Sequence, residues 1–495
     1  MKRQSLTACV LLTCIATGSS GSAQQRYGAD WQSLQRHECP TWFRDAKFGI
    51  YFHWGPYSVP AYKTEWYSHY MYVPGHACNK HHLQTYGPLD EFGYKDFIPM
   101  FKAEKFDPDA WAALFKKAGA RFAGPVAEHA DGFAMWDSAL TEWNAAKMGP
   151  KRDVVGEMRD AVRKQGMKFI ATLHHQWLYA WYPTMDPNTD AGDPAYAEFY
   201  GPPAPRSAFC GSDRNPDPMP DAAFSQRWYS RAIEVVDKYQ PDLVWFDNKL
   251  HILDQQLVQD FLAHYYNSAA SWNQDVVATY KHQDFHEGAG VLDLERSRMS
   301  ERKDFPWLTD DSIDWGAWCH VQEPRYKTTN RLIDFLVDVV SKNGCVLLNI
   351  APTAEGEIPQ PVRERLLEMG QWLDLNGEAI YETRPWKIFG EGPMEIAEGH
   401  LSEHKNKDAT SEEIRFTCRG STLYATVLDW PADGVIRIRS LPDTSDLLGE
   451  IKRIDLLGYD GKLAWTRNAQ GLSVRLPEEP PCSHAFVLKI RAQGI

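Results

Sequence analysis

Several short apolar runs in this chain end in a side chain able to move a proton, carry a charge or attack carbon. His53 follows KFGIYF, Glu128 and His129 follow RFAGPVA, and His174 and His175 follow KFIATL. Asp247 follows LVWF, Glu295 follows VLDL, and Asn349 falls inside CVLLNI. A carboxylate placed behind LVWF is held in position with little water around it, which suits a nucleophile that forms a glycosyl ester. Such chemistry needs a second carboxyl group about 5 to 5.5 Å away, to protonate the departing oxygen and then deprotonate water.

These positions also admit simpler roles. Asp247 fits equally well as a helix-capping aspartate at the end of a strand. Glu295 is the candidate acid/base, but Glu301, Asp293 and Glu65 compete for that place, and the run ERSR after Leu294 also fits a solvated loop with local ion pairs. The histidines invite a metal reading. Their spacing opposes it, because His53 stands alone in HWG instead of in an HxH pair. His174 and His175 are adjacent, so on a regular strand only one of them enters a shared site. Neutral imidazoles bonded to sugar hydroxyls account for the set without a metal or an organic cofactor.

The elements that position these residues read as parallel strands with helical connections. Eight runs serve as strands, at 46–52, 120–126, 167–173, 242–246, 275–280, 290–294, 312–318 and 345–350. Between them Trp111, Leu114, Phe115 and Ala118 share a helical face, as do Val155, Met158 and Val162, and Leu332, Phe335, Leu336 and Val339. The expected fold is a (β/α)8 TIM barrel, whose active site lies at the carboxyl ends of its strands. Residues 178–223, rich in Pro, Asp and Tyr, read as a long excursion after the third strand. Beyond Trp386 the pattern becomes alternating, in GSTLYATVLDW, GVIRIRSL and GLSVRLP, which predicts an antiparallel β-sandwich.

Residues 1–23 have the layout of a cleavable export signal, with Lys2 and Arg3 before a short apolar stretch that ends in small residues. The expected organisation is therefore a signal at 1–23, a barrel at 24–386 and a sandwich at 387–495. No later run is long and apolar enough to span a bilayer. A formal charge of −13 argues against a nucleic-acid partner. The 19 tryptophans and 22 tyrosines suit a core, and equally the flat faces of sugar rings. Seven cysteines follow the signal, with no CxxC pair to suggest a zinc ribbon or a redox motif.

Taken together, FRDAKFGIYFHWGPYSVPAYKTEWY, EHADGFAMWDSALTEWN, KRDVVGEMRDAVRKQGMKF, PDLVWFDN, NGCVLLNIAPTAEGEIP and NGEAIYETRPW resemble the α-L-fucosidases of glycoside hydrolase family twenty-nine. The resemblance runs from about residue 42 to 386 and more loosely beyond. It implies that Asp247 is the nucleophile and that His53, Glu65, Trp66 and His129 hold fucose. It places one of His174 and His175 at a further pocket position and Trp315 near the acid/base loop, with Glu295 as acid/base. For the methyl group of the sugar, Trp66, Trp315 or Phe246 offers an apolar wall. The family usually reads KHHDGF where this chain has EHADGF, so Ala130 replaces an imidazole expected to touch the sugar.

The implied activity is removal of terminal α-L-fucosyl residues from oligosaccharides or glycoconjugates with net retention. Three other readings stand beside it: a fucose-binding relative without turnover, a metal-dependent barrel hydrolase, and a glycosidase for a related L-sugar such as α-L-galactose.

Overall fold

The computed structural model describes residues 26–205 and 219–495, so the expected signal lies outside the described residues. Eight parallel strands close into a barrel in sequence order. They are β1 (Phe48–Phe52), β2 (Phe122–Glu128), β3 (Lys168–Leu173), β4 (Leu243–Phe246), β5 (Val277–Lys281), β6 (Val291–Asp293), β7 (Trp307–Ser312) and β8 (Gly344–Ile350). The seam is the β1–β8 pairing, from Phe48 opposite Val346 to Phe52 opposite Ile350. Seven strands coincide with the expected runs to within a few residues. The seventh does not: β7 ends at Ser312, where the expected strand began, and residues 313–328 form a loop and not a strand. The charged series TDDS hid this strand, because Asp310 and Ser312 belong to the barrel interior and read as loop residues in sequence.

Barrel helices start where a polar side chain caps the free N–H groups of the first turn. Asp107 caps Pro108–Lys117, Asp153 caps Val154–Lys164, Asp221 caps Ala222–Tyr239, Asp254 caps Gln255–Ser271 and Thr328 caps Thr329–Ser341. A further helix, Gln360–Asn376, follows β8. The β5–β6 and β6–β7 connections contain no helix among the described residues. Their loops are therefore free to build the rim of the barrel mouth.

Along each strand alternate side chains face the barrel axis. Tyr51, Phe122, Val126, Ile170, Leu243, Trp245, Val277, Val291, Leu308 and Leu347 form the inner core. The opposite faces, including Ile50, Phe52, Val244 and Phe246, pack against the helices.

The C-terminal part has a five-stranded sheet in the order β13-β16-β11-β10-β9 facing a three-stranded sheet β12-β15-β14. The larger sheet comprises β9 (Arg384–Glu391), β10 (Ile414–Arg419), β11 (Thr422–Val427), β13 (Ile451–Leu456) and β16 (Phe486–Ala492). The smaller comprises β12 (Val435–Ile438), β14 (Ala464–Asn468) and β15 (Gly471–Arg475). Phe416, Leu423, Leu488 and Ile490 meet Ile436, Ile438, Leu472 and Val474 in a shared core, which makes the pair a β-sandwich. No helix among the described residues is long and apolar enough to cross a membrane. Among the described residues Cys39, Cys78, Cys319, Cys345, Cys418 and Cys482 form no disulfide with one another.

Candidate active site

A cavity of about 350 Å³ opens at the carboxyl ends of the strands. His53, Glu65, Trp66, His129, His174, Asp247 and Glu295 all line it. Strand alternation explains Asp247, which continues the inward series Leu243, Trp245. The same alternation turns Phe246 outward onto Trp228 and Phe261, so Trp245, and not Phe246, forms an apolar wall of the cavity. Asp247 caps no helix among the described residues: the 3-10 turn Leu250–Ile252 is preceded by Lys249, and the α-helix Gln255–Ser271 is capped by Asp254.

His129 reaches the cavity because β2 departs from regular pairing. Opposite β3, Val126 pairs with Thr172 but Glu128 pairs with Leu173, a one-residue shift within the ladder. Without it Glu128 would share the inward face of Phe122 and Val126. Instead Glu128 accepts from Arg231 and sits 2.6 Å from His175 Nδ1, outside the cavity, and the next residue, His129, turns inward. His174 and His175 separate in the same way, with His175 stacked on Phe224 and His174 facing His129 at a ring distance of 4.6 Å.

The β1–β8 seam orients His53. Its backbone N–H and its Nδ1–H both donate to Asn349 Oδ1, at 3.0 and 2.8 Å, which leaves Nε2 as an acceptor. Asn349 also donates to the Trp318 carbonyl at 2.6 Å, and the Trp318 N–H donates to Glu65 Oε2 at 3.0 Å. Trp318 therefore lines the cavity, with its ring 5.4 Å from that of His53. Trp315 does not. Its ring lies against Lys327 and Arg331 outside the cavity, because the early end of β7 gives residues 313–328 over to a loop that turns the second tryptophan of DWGAW inward. Ala130 is buried in the core and does not line the cavity.

Burial holds the imidazoles neutral. It pushes His53 down to about 4 and His129 and His174 well below the ordinary histidine range. Burial also raises the Glu65 carboxyl. Among the described residues His53, His129 and His174 bring one ring nitrogen each within 4.8 Å of one another, close enough to share a metal ion. Three neutral nitrogens at this spacing serve three hydroxyl groups equally well.

Lys281, the last residue of β5, also lines the cavity, although no expectation from the sequence named it. Its Nζ lies 3.1 Å from Asp247 Oδ1 and 2.6 Å from Glu295 Oε2, with Asp310 at 3.7 Å and Asp293 at 3.9 Å beneath. Two oxygens that touch one nitrogen are no farther apart than those two contacts laid end to end. The nearest Asp247 and Glu295 oxygens are thus closer together than the roughly 6.5–9.5 Å that inverting hydrolysis uses, which fits the narrower retaining arrangement. Of the rival carboxyl groups, Glu301 is exposed outside the cavity, Asp293 lies beneath Lys281, and Glu65 stands among the cavity-lining imidazoles. Tyr51 donates to Asp310 at 2.8 Å and Trp245 to Asp293 at 3.1 Å, which completes a polar floor.

Comparison with known proteins agrees with this geometry. Residues 14–378 match the family model described as alpha-L-fucosidase, and residues 406–491 match the alpha-L-fucosidase C-terminal domain. The chain is 33% identical over 481 residues to the tissue alpha-L-fucosidase of Rattus norvegicus, covering 95% of this chain and 93% of that protein. It is 31% identical to the tissue alpha-L-fucosidase of Homo sapiens, covering 98% and 97%. The crystal structure of Thermotoga maritima alpha-fucosidase in complex with fucose superposes with a TM-score of 0.74 at 28% identity, covering 94% of this chain and all of that one. A barrel with paired carboxylates at its mouth, joined to a sandwich and matched over both parts, belongs to the alpha-L-fucosidase family of glycoside hydrolases.

Proposed function

We propose that the chain removes terminal α-L-fucosyl residues from oligosaccharides or glycoconjugates by double displacement, with Asp247 as nucleophile and Glu295 as acid/base. The observation that carries this reading is the bridging of the two carboxylates by Lys281 across one cavity. Asp247 attacks the anomeric carbon while Glu295 gives its proton to the departing glycosidic oxygen. Glu295, now a carboxylate, takes a proton from water, and the resulting hydroxide displaces Asp247 and restores both groups. His53, Glu65, His129 and His174 supply donors and acceptors for the sugar hydroxyls, and Trp66, Trp245 and Trp318 supply flat apolar walls, one of them for the C5 methyl.

Support also comes from a solved relative, the Thermotoga maritima enzyme in complex with a mechanism-based inhibitor, which shares 28% identity over 94% of this chain. Both carboxylates face the cavity, which argues against a relative that only binds fucose. We read residues 1–23 as an export signal, 24–386 as the catalytic region and 387–495 as the sandwich, with β9 already contributing its strand to the latter. Sequencing the N-terminus of secreted protein tests the first of these.

The deciding experiment is hydrolysis of an aryl α-L-fucoside by the wild type and by Asp247→Ala. The wild type releases α-fucose first, and the variant loses about 10³-fold or more. Added azide then enters the space of the missing carboxylate and yields β-fucosyl azide. Fucose binding by a wild type that shows no turnover would overturn the proposal.

A further inference from the structure

The segment between β9 and β10 returns to the barrel mouth and fastens onto the loop that carries Glu295. Leu401 N–H donates to the Glu295 carbonyl at 3.0 Å, and Glu403 N–H donates to the Arg296 carbonyl at 2.8 Å. The Ser297 and Ser402 hydroxyls meet at 3.0 Å. Arg298 holds the Glu403 carboxylate with two bonds, at 2.7 and 2.6 Å, and Arg331 adds a third at 2.6 Å. All three of these charged side chains are buried, so the lock is shielded from salt.

The lock turns a short stretch of backbone into an unusual shape. Leu401 has φ of 60°, a left-handed conformation that residues other than glycine seldom adopt, and Gly399 before it has φ of 97°. Between them His400 is aimed into the cavity, where its Nε2 stands 3.4 Å from Glu295 Oε2. Its ring meets the edge of His282 at 4.9 Å. Burial lowers the affinity of His400 for a proton; Glu295 and Asp247 oppose that effect, while Lys281 and His282 reinforce it. The imidazole is therefore neutral near pH 7.

A general acid beside an ammonium group faces a conflict. Lys281 holds Glu295 Oε2 at 2.6 Å, whereas the leaving oxygen must be met by the protonated oxygen of the same carboxyl group. A neutral imidazole on the same carboxyl adds no positive charge, and its ring nitrogen can accept the hydrogen bond of protonated Glu295. We propose that His400, delivered by the segment between β9 and β10, is a positioning residue for the Glu295 acid/base, so that this segment completes the leaving-group side of the active site. The inference rests on the assignment of Glu295 above and adds a residue to it. The transferred proton is that of Glu295, and His400 fixes the orientation of its carboxyl group.

The test compares His400→Ala, His400→Gln and Glu295→Ala on two substrates. One is a nitrophenyl α-L-fucoside, whose leaving group departs with little protonation. The other is a fucosyl disaccharide, whose alcohol needs the proton. His400→Ala should lose about tenfold or more in kcat/KM on the disaccharide and clearly less on the nitrophenyl substrate. His400→Gln, which keeps an acceptor near the position of Nε2, should recover most of the loss. Thermal melting and the nitrophenyl activity report folding independently. Equal losses on both substrates, or no loss where Glu295→Ala shows a leaving-group-dependent one, would overturn the role of His400 alone. Equal losses in Glu295→Ala would remove the acid/base assignment, and this inference with it.

Discussion

Lys281 donates to Glu295 Oε2 at 2.6 Å from a strand end that is itself fully shielded from solvent. Burial works against the charge of this lysine, yet Asp310, Glu295, Asp247 and Asp293 together hold its proton well above the ordinary range. In return Asp310 is pushed only to about 6 by burial, because the ammonium pulls the other way. Lys281→Met should therefore cost stability on the order of 3–5 kcal/mol by stranding buried negative charge. With the cation gone, the folded carboxyl groups bind protons more tightly than the unfolded chain does, so the penalty should grow as pH rises from about 4 to 8. Urea unfolding of wild type and variant at pH 5 and pH 8 checks this, and an equal penalty at both would contradict it.

The barrel was legible because its strands announce themselves as apolar runs and its helices as amphipathic stripes, and most cavity residues follow from looking just past each run. The same rule picks out Lys281, which directly follows the expected strand 275–280. As neither a carboxylate nor an imidazole, it does not by its type point to glycosyl transfer. Three features are not legible in the sequence. The shift after Val126 that exchanges Glu128 for His129 depends on strand pairing, and strict alternation would have sent the wrong residue inward. The placement of Trp318 instead of Trp315 depends on where β7 stops, which TDDS conceals because its inward polar residues resemble a loop. His400 was invisible for another reason: it lies more than 100 residues from Glu295 and arrives through a long-range backbone lock.

His174 and His129 each keep a buried Nδ1 without a hydrogen-bond partner among the described residues. An unsatisfied buried nitrogen weakens the free protein and strengthens the complex once a hydroxyl group meets it. His174→Leu should then leave the free protein at least as stable as the wild type while weakening fucose binding by about 1–3 kcal/mol. Calorimetric titration with fucose beside a thermal melt separates the two effects. A variant that melts lower yet binds fucose normally would make His174 a core residue instead of a sugar contact.

Asp131 lies two residues beyond His129, fully buried, with Tyr94 O–H donating to its Oδ2 at 2.6 Å. Burial raises its carboxyl to about 7. A carboxyl group raised in the folded state binds protons there that the unfolded chain has already released. Its stabilising contribution is thus present at low pH and is lost as pH climbs from about 4 through 7. Asp131→Asn, which mimics the neutral form, should escape that loss. Relative to wild type the variant should gain stability between pH 5 and pH 8 and level off above, as read from paired unfolding curves. A gap that stays constant across this range would show that Asp131 titrates normally.

Asp338 ties the loop that carries Glu295, the barrel and the sandwich together. On helix Thr329–Ser341 its carboxylate accepts from Arg415 of β10 at 2.5 Å and from Lys342 at 2.8 Å, with Arg298 at 3.7 Å. Burial opposes ionisation here, but Lys342, Arg415 and Arg298 outweigh it and hold the group well below the usual carboxylate range. Asp338→Asn keeps the shape and strands three cations, so it should cost about 3–5 kcal/mol at pH 7. For a carboxyl group depressed in the folded state, the contribution is complete above the unfolded value of 3.8 and disappears as pH falls below it. The difference between wild type and variant should accordingly be flat from pH 7 to about pH 5 and shrink toward pH 3. Because Arg298 adjoins the Glu295 loop, the variant should also lose turnover of a fucosyl disaccharide before it loses its overall fold. Unfolding curves and kcat measured on the same samples test both parts, and a variant as stable and as active as wild type would show that the hub does not join the sandwich to the catalytic loop.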